Sequence, residues 1–220
     1  MTLRRLVLLR HGQTDYNVEG RMQGHLDVQL TEAGHAQAAA VAPGVAALGP
    51  DRLISSDLRR AVDTAAVVAA AAGLDVKVDP RLRETHLGEW QGRTLVDVER
   101  DWPGAIAQWR SDPAYAPPGG ESRIEVVRRS RPVVDELDEE YADNPHGIVV
   151  VVAHGGMIAG LVCGLLGLPT STWPSIGGMG NCHWASLARR EDHPRWRLVG
   201  YNVSGGVAVP PVRVVPPTLG

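Results

Sequence analysis

Short apolar runs alternate with longer, alanine-rich segments along this chain, and that alternation most restricts how it can fold. The run from Ile148 to Ala153 holds five β-branched residues and an alanine, which is typical of a buried strand. Similar short runs occupy residues 4–10 and 52–55, and each leads through turn or capping residues toward a longer segment. Strands that alternate with helices in this way predict a mostly parallel central sheet with helices on both faces, which is an α/β fold.

Residues that favour helix ends indicate where the helices begin. Thr31 precedes an alanine-rich segment, and Ser56 with Asp57 is predicted to cap the next helix. Residues 124–141 are read as a helix that Pro132 interrupts. Together these signals predict helices over residues 31–48, 57–72, 124–141 and 155–166, and strands over residues 4–10, 52–55, 75–78, 148–153, 184–189 and 195–201.

The length of 220 residues suits one domain, which we predict to span residues 1–203. Tryptophan, proline and glycine break the alternation at residues 93–120, so this segment is predicted to be a small inserted lid. Residues 204–220 are rich in Gly, Pro and Val without a period. We expect them to form a flexible tail.

Charge and cysteine content exclude several classes of protein. With 22 basic and 25 acidic side chains, the chain lacks the uniform basic field on which nucleic-acid binding depends. No apolar stretch approaches a membrane span or the core of a signal peptide, so we expect no membrane association and a cytoplasmic location. Cys163 and Cys182 do not form a C-x-x-C pair, which argues against a zinc ribbon or a disulfide scaffold and suggests a reducing compartment.

Polar residues follow three of the predicted strands at the point where each strand ends. Arg10, His11 and Gly12 close the first strand, Arg60 lies just after the second, and His154 closes the strand 148–153. Ligands of open α/β sheets bind outside the carboxyl ends of the strands, so these residues are expected to converge. Each alone is more typical of a turn or a salt bridge, but two histidines with at least two arginines suit a tetrahedral anion.

Four runs that contain these residues follow one another in a fixed order. They are Arg-His-Gly-Gln-Thr-Asp-Tyr-Asn at 10–17, Ser-Ser-Asp-Leu-Arg-Arg-Ala-Val-Asp-Thr-Ala at 55–65, Leu-Arg-Glu-Thr-His-Leu-Gly-Glu-Trp-Gln-Gly at 82–92, and Val-Ala-His-Gly-Gly at 152–156. In order and spacing they resemble the signatures of the histidine phosphatase, or phosphoglycerate mutase-like, superfamily over about residues 3–202. The resemblance implies that family's fold, a mostly parallel sheet with helices on both faces and a small inserted lid.

The resemblance also implies roles for individual residues. His11 matches the nucleophile, which receives the phosphoryl group on a ring nitrogen, and Glu84 matches the proton donor. Of the two adjacent arginines, Arg60 rather than Arg59 matches the motif. The remaining implied residues are Arg10, Arg60 and His154 on the phosphoryl oxygens, and Gly12, Asn17, Gln23 and Gly155 in substrate binding.

More narrowly, segments such as Arg-Met-Gln-Gly at 21–24 and Gly-Gly-Glu-Ser at 119–122 are similar to those of actinobacterial glucosyl-3-phosphoglycerate phosphatases. This implies a phosphomonoester hydrolase that forms a phosphohistidine, requires no metal or other cofactor, and acts on that small molecule or a related phosphorylated sugar acid. A homodimer is possible. The alternatives are a phosphoglycerate mutase, a broad-specificity phosphatase and a non-catalytic phospho-ligand module. Gln13 stands where such mutases carry Glu, which favours hydrolysis.

Two side-chain assignments remain open at this level. Glu84 is also a natural salt-bridge partner for Arg81 or Arg83, and His86 is the next candidate as proton donor. Several aromatic and glycine residues are candidates to border a sugar, although core packing is the commoner role of a tryptophan. They are Trp102, Trp109, Tyr115, Trp184 and the loop 177–180.

Overall fold

The computed structural model describes residues 3–141, 147–190 and 195–204. Within these ranges, six strands form one sheet. They are β1 (Arg5–Arg10), β2 (Arg52–Ser55), β3 (Val76–Val78), β4 (Ile148–Ala153), β5 (Trp184–Arg189) and β6 (Trp196–Val203). The helices are α1 (Asp15–Val18), α2 (Glu32–Ala46), α3 (Arg59–Ala72), α4 (Leu95–Asp101), α5 (Ala105–Ser111), α6 (Arg123–Glu140) and α7 (Gly155–Leu165), with short 3₁₀ turns at Pro80–Leu82, Gly88–Trp90 and Thr170–Ser175.

The sheet has the strand order β3-β2-β4-β1-β5-β6, and its first four strands are parallel. β5 and β6 close the sheet as antiparallel strands. The predicted α/β class is therefore confirmed. Because β1, β2 and β4 are parallel neighbours, their carboxyl ends lie at one edge of the sheet.

Helices cover both faces of the sheet, as predicted. Side chains alternate along β1, so that Leu6 and Leu8 pack beneath α6 and α7 while Val7 and Leu9 pack beneath α2 and α3. Both sets are fully buried. The two cores hold the sheet rigidly enough to position the loops at its carboxyl edge.

Two predicted details are wrong. Ser56 and Asp57 do not cap α3: its N-cap is Leu58, and the Asp57 carboxylate accepts instead from Arg83 Nε at 2.7 Å. Pro132 does not interrupt the helix either, because α6 runs through it. The flanking residues Val133 and Val134 are buried in the core, and their packing offsets the one backbone hydrogen bond that a proline removes.

The segment predicted as a lid contains α4 and α5 and forms a small apolar cluster of its own around the fully buried Trp90. The rings of Trp102, Trp109 and Tyr115 lie 6.0 to 6.4 Å from the Trp90 ring. The lid and the domain limits stay predictions. The predicted tail lies, from residue 205 onward, outside the described residues. Within the described ranges, no helix is long and apolar enough to cross a membrane.

Candidate active site

Residues from the ends of β1, β2 and β4 meet at the carboxyl edge of the sheet. Those from the ends of β1 and β2 line a cleft of about 320 Å³, to which the loop after β3 and the loop between α1 and α2 also contribute, while His154 after β4 contacts Arg60 from behind it. This is the convergence that the sequence predicted from parallel strand ends. The predicted site residues that line the cleft are Arg10, His11, Asn17, Gln23, Arg60 and Glu84.

His11 is nearly inaccessible, with 3% of its surface exposed, and a hydrogen bond to Gly12 fixes its ring. Nδ1 lies 2.6 Å from the carbonyl oxygen of Gly12. Since a carbonyl can only accept, Nδ1 carries the proton and Nε2 is left with its lone pair. Burial, and then the positive charges of Arg60 and Arg10, lower the pKa of His11 well below its ordinary value. The imidazole is therefore neutral and nucleophilic near neutral pH.

Arg60 is completely buried and held at three points. Nη1 and Nη2 donate to the carbonyl oxygens of Leu26 and Gly24 at 2.7 and 2.8 Å, and Nε donates to His154 at 3.2 Å. Burial lowers the pKa of Arg60 to about 10, so it stays charged at neutral pH. Two of its five N–H groups have no partner among the described residues and are available to an anion.

His154 is also fully buried, but it lies outside the cleft lining. Nδ1 accepts from Arg60 Nε, so the proton of the neutral ring sits on Nε2, 2.9 Å from Ser56 Oγ. Its ring centroid is 5.2 Å from that of His11. Both ring nitrogens are thus engaged with the protein, and in this structure His154 orients Arg60 rather than presenting a free donor to the cleft.

Glu84 caps the amino end of α7. Its carboxylate accepts from the backbone N–H of Gly156 at 2.9 Å and of Met157 at 2.8 Å, and also from that of Thr85. This placement at the positive end of a helix is favourable for a carboxylate. The salt-bridge interpretation of Glu84 is wrong. Arg81 pairs instead with Asp79 and Glu136, and Arg83 pairs with Asp57.

The other predicted residues differ in whether they line the cleft. The Gln23 amide oxygen is buried with no hydrogen-bond partner among the described residues, so it has an unmet acceptor at the cleft wall. Asn17 lines the cleft, and its Oδ1 accepts a hydrogen bond from Asn181 Nδ2 at 3.1 Å. Gly12 and Gly155 do not line this cleft. The Gly12 N–H is already bonded to Thr64 Oγ1 at 3.0 Å.

Most of the aromatic residues expected near a sugar lie elsewhere. Trp184 is buried in the main core, with 2% exposed, and Trp102 and Tyr115 pack on Trp90. Only Trp109 among them lines the cleft. His86 lines neither the cleft nor the cavity next to it, and its ring packs edge-on against His25 at 4.9 Å.

Sequence reasoning missed Arg129, a residue of α6 that fixes the loop carrying Glu84. Its guanidinium donates to the carbonyl oxygens of residues 81, 83 and 84 at 2.7 to 2.9 Å and makes a two-point ion pair with Glu121. Glu121 in turn accepts from the backbone N–H of His86 at 2.8 Å. Glu121 lies in the Gly-Gly-Glu-Ser segment, but no sequence signal connects it to Arg129 within a charged helix.

Comparison with known proteins decides the family. The family model of the histidine phosphatase superfamily (branch 1) matches residues 6–203. The chain belongs to the histidine phosphatase superfamily. It is 51% identical over 219 residues to a glucosyl-3-phosphoglycerate phosphatase of Mycobacterium tuberculosis, covering 94% of this chain and 98% of that protein. A Mycolicibacterium vanbaalenii protein of the same name is 49% identical over 221 residues, with the same coverage.

A solved mycobacterial glucosyl-3-phosphoglycerate phosphatase in complex with VO3 superimposes with a TM-score of 0.88 at 53% identity. The match covers 91% of this chain and all of that one. These findings confirm the predicted family and the predicted class of enzyme, a phosphatase, over the mutase alternative.

Other reactive groups are sparse in the described part of the chain. It contains no group of three or more His, Cys, Asp or Glu side chains suited to hold a metal ion. Both cysteines are free and buried, and burial raises the pKa of Cys163 to about 11 and of Cys182 to about 12.

The adjacent residues Arg59 and Arg60 provide a matched pair for testing which arginine binds the phosphoryl oxygens. Arg60→Ala is expected to lower kcat/KM by about 10²- to 10³-fold, the typical cost of removing one fixed donor to a transition-state oxygen. Arg59 is exposed, with Nε 3.8 Å from Asp63, so Arg59→Ala should cost less than about threefold. Steady-state kinetics on both variants, with thermal unfolding to confirm folding, makes the comparison. Equal losses of kcat/KM in the two variants would show that the anion-binding role of Arg60 is assigned wrongly.

Stability should depend on pH through the two buried histidines. Burial lowers the pKa of His11 and of His154 well below 6.5, so the unfolded chain binds protons that the folded protein does not. The free energy of unfolding should therefore be highest above pH 6.5 and fall as the pH drops, by up to about 1.4 kcal/mol per pH unit for each histidine. Urea unfolding of wild type and His11→Gln at several pH values tests this. The variant should have the shallower slope, and parallel curves would contradict a neutral His11.

Arg129 is expected to act through Glu84. Arg129→Ala frees the loop, and because small displacements of a reacting group are costly, we expect about a 10²-fold loss of kcat on an alkyl phosphomonoester. The loss should be smaller on p-nitrophenyl phosphate and should not add to that of Glu84→Gln. Arg128→Ala, one residue away and exposed, is the control. Additive losses in the double variant would assign Arg129 a role separate from Glu84.

Proposed function

We propose that this phosphatase hydrolyses a phosphomonoester through a phosphohistidine on Nε2 of His11. The observation that carries the proposal is the orientation of His11: its Nδ1–H is tied to Gly12, and the ring lines the same cleft as Arg10, Arg60 and Glu84. A nucleophile, two cations and a carboxyl group in one cleft are the parts that phosphoryl transfer to an imidazole needs.

In the first step, Nε2 forms a bond to phosphorus while the bond from phosphorus to the ester oxygen breaks. Charge spreads over the three equatorial oxygens, and the guanidinium groups of Arg10 and Arg60 stabilise it. The electron pair of the broken bond stays on the leaving oxygen, which takes a proton from the carboxyl group of Glu84. The products are the free alcohol and phosphohistidine.

In the second step, water replaces the alcohol. The Glu84 carboxylate, now deprotonated, removes a proton from water as the water oxygen attacks phosphorus, and the bond from phosphorus to Nε2 breaks. Inorganic phosphate leaves, and both Glu84 and neutral His11 return to their starting states. Glu84 thus serves as acid in one step and as base in the other.

The proposed substrate is glucosyl-3-phosphoglycerate, the compound named in relatives that are about half identical over nearly the whole chain. The test is a phosphate-release panel of glucosyl-3-phosphoglycerate, 3-phosphoglycerate, phosphoserine and p-nitrophenyl phosphate. We expect the highest kcat/KM on the glucosylated compound. Similar values across the panel would instead indicate a broad-specificity phosphatase.

A further inference from the structure

A second cavity, of about 500 Å³, adjoins the catalytic cleft. The two share Arg10, Glu84, Trp109 and Arg110 in their walls, whereas His11 lines only the first. Glu84 thus stands at the junction, with the nucleophile on one side and the second cavity on the other.

The geometry of the proposed reaction indicates which part of the substrate lies at this junction. Attack and departure at phosphorus are roughly in line, so the leaving oxygen lies on the side away from His11 and next to the group that protonates it. Glu84 is bonded to the first turn of α7, and the second cavity continues along that helix. Gly156, Ala159, Gly160 and Cys163 line it, and their spacing puts them on one helix face where small side chains leave room.

The walls of the second cavity suit an anion with hydroxyl groups. Arg110 and Arg123 line it together with Arg10, and Glu84 is the one acidic residue in its lining. Arg123 is held over the Trp109 ring at 5.3 Å and donates to the Trp109 carbonyl oxygen, while no ion pair engages Arg110 among the described residues. The Trp109 Nε1–H is buried and, within the same described set, has no acceptor.

We propose that the second cavity binds the leaving group of the substrate, and that it selects a bulky, anionic, polyhydroxylated one such as a glycosylated hydroxy acid. The inference rests on the proposed function, because it places the leaving group by the position of Glu84. The volume of the second cavity lies in the range of pockets that enclose a whole ligand, and it exceeds what a three-carbon acid fills.

Filling the cavity from the helix side tests the proposal. Ala159 lines the second cavity but not the cleft, and Ala159→Leu adds three carbons to the wall. Since one methylene too many in a closed pocket costs about tenfold or more, kcat/KM for glucosyl-3-phosphoglycerate should fall at least about tenfold further than that for 3-phosphoglycerate. The two esters differ only by the glucosyl group. Ala66→Leu, at an exposed position of α3, is the matched control and should leave the ratio unchanged.

Gly178→Leu fills the same cavity from the opposite loop and guards against a folding defect in α7. A Cβ at Gly178 meets no heavy atom of the described residues within 4 Å, so the loop accommodates the substitution. We expect the same selective loss of the glucosylated substrate. Equal losses on both esters in both fillers, or no loss in either, would overturn the inference.

The wild-type arm separates this inference from the proposed function. If wild type prefers the glucosylated ester and neither filler changes the ratio, the proposed function stands and the leaving group binds elsewhere. If wild type cleaves 3-phosphoglycerate but not the glucosylated ester, both the proposed substrate and the ligand class of the cavity are wrong. Inactivity on every phosphomonoester would overturn the proposed function itself, and with it the placement of a leaving group.

Discussion

Replacing His11 by alanine is expected to abolish turnover, because it removes the atom that accepts the phosphoryl group. Loss of a nucleophile that works as a unit with its neighbours costs at least about 10⁴-fold in kcat. Within the described part of the chain, the side chain makes one hydrogen bond, to Gly12, so the protein should remain folded. Rapid quenching of wild type with substrate, followed by mass spectrometry, should place an acid-labile phosphoryl group on His11.

His35→Ala removes an exposed histidine of α2 and serves as the control for this experiment. It should retain wild-type kcat and the phosphohistidine signal. A His11→Ala protein with more than a small fraction of wild-type kcat, or a phosphoryl group trapped on a different side chain, would refute the mechanism.

Glu84→Gln should separate proton donation from mere positioning. General acid assistance is worth about 10²- to 10⁴-fold, and an alkoxide leaving group needs it whereas p-nitrophenolate does not. Single-turnover phosphorylation of His11 should therefore slow far more with glucosyl-3-phosphoglycerate than with p-nitrophenyl phosphate. Multiple turnover is less informative, because the dephosphorylation step is common to both substrates.

The structure adds a reason to include both substrates. Both carboxylate oxygens accept backbone N–H groups at the start of α7, and a glutamine would turn its own NH₂ group toward one of those donors. The loss on p-nitrophenyl phosphate measures this local disturbance, and the additional loss on the alkyl ester measures proton transfer. Equal slowing of both substrates would mean that Glu84 only shapes the site.

Much of the fold was predictable because its signals are local. The β-branched residues of β4 predict a strand from their composition alone, and the alternation of short apolar runs with helical segments predicts an α/β sheet. Helix details at two points were not predictable. Asp57 does not cap α3 because it pairs with Arg83, which lies in a loop distant in the sequence. Pro132 lies inside α6 because packing around it compensates for the hydrogen bond that proline removes.

The sequence by itself determined the family and the class of enzyme, and it predicts the reacting side chains, because these signals reside in contiguous motifs such as Arg-His-Gly at 10–12. The tertiary structure alone decided how those side chains are held. The capping of α7 by Glu84 and the hydrogen bonds from Arg129 to the loop that carries Glu84 join residues far apart in the chain. Such contacts follow from the parallel sheet and the packing of α6 against α7, which bring distant backbone groups within hydrogen-bond distance and leave no local pattern in the sequence.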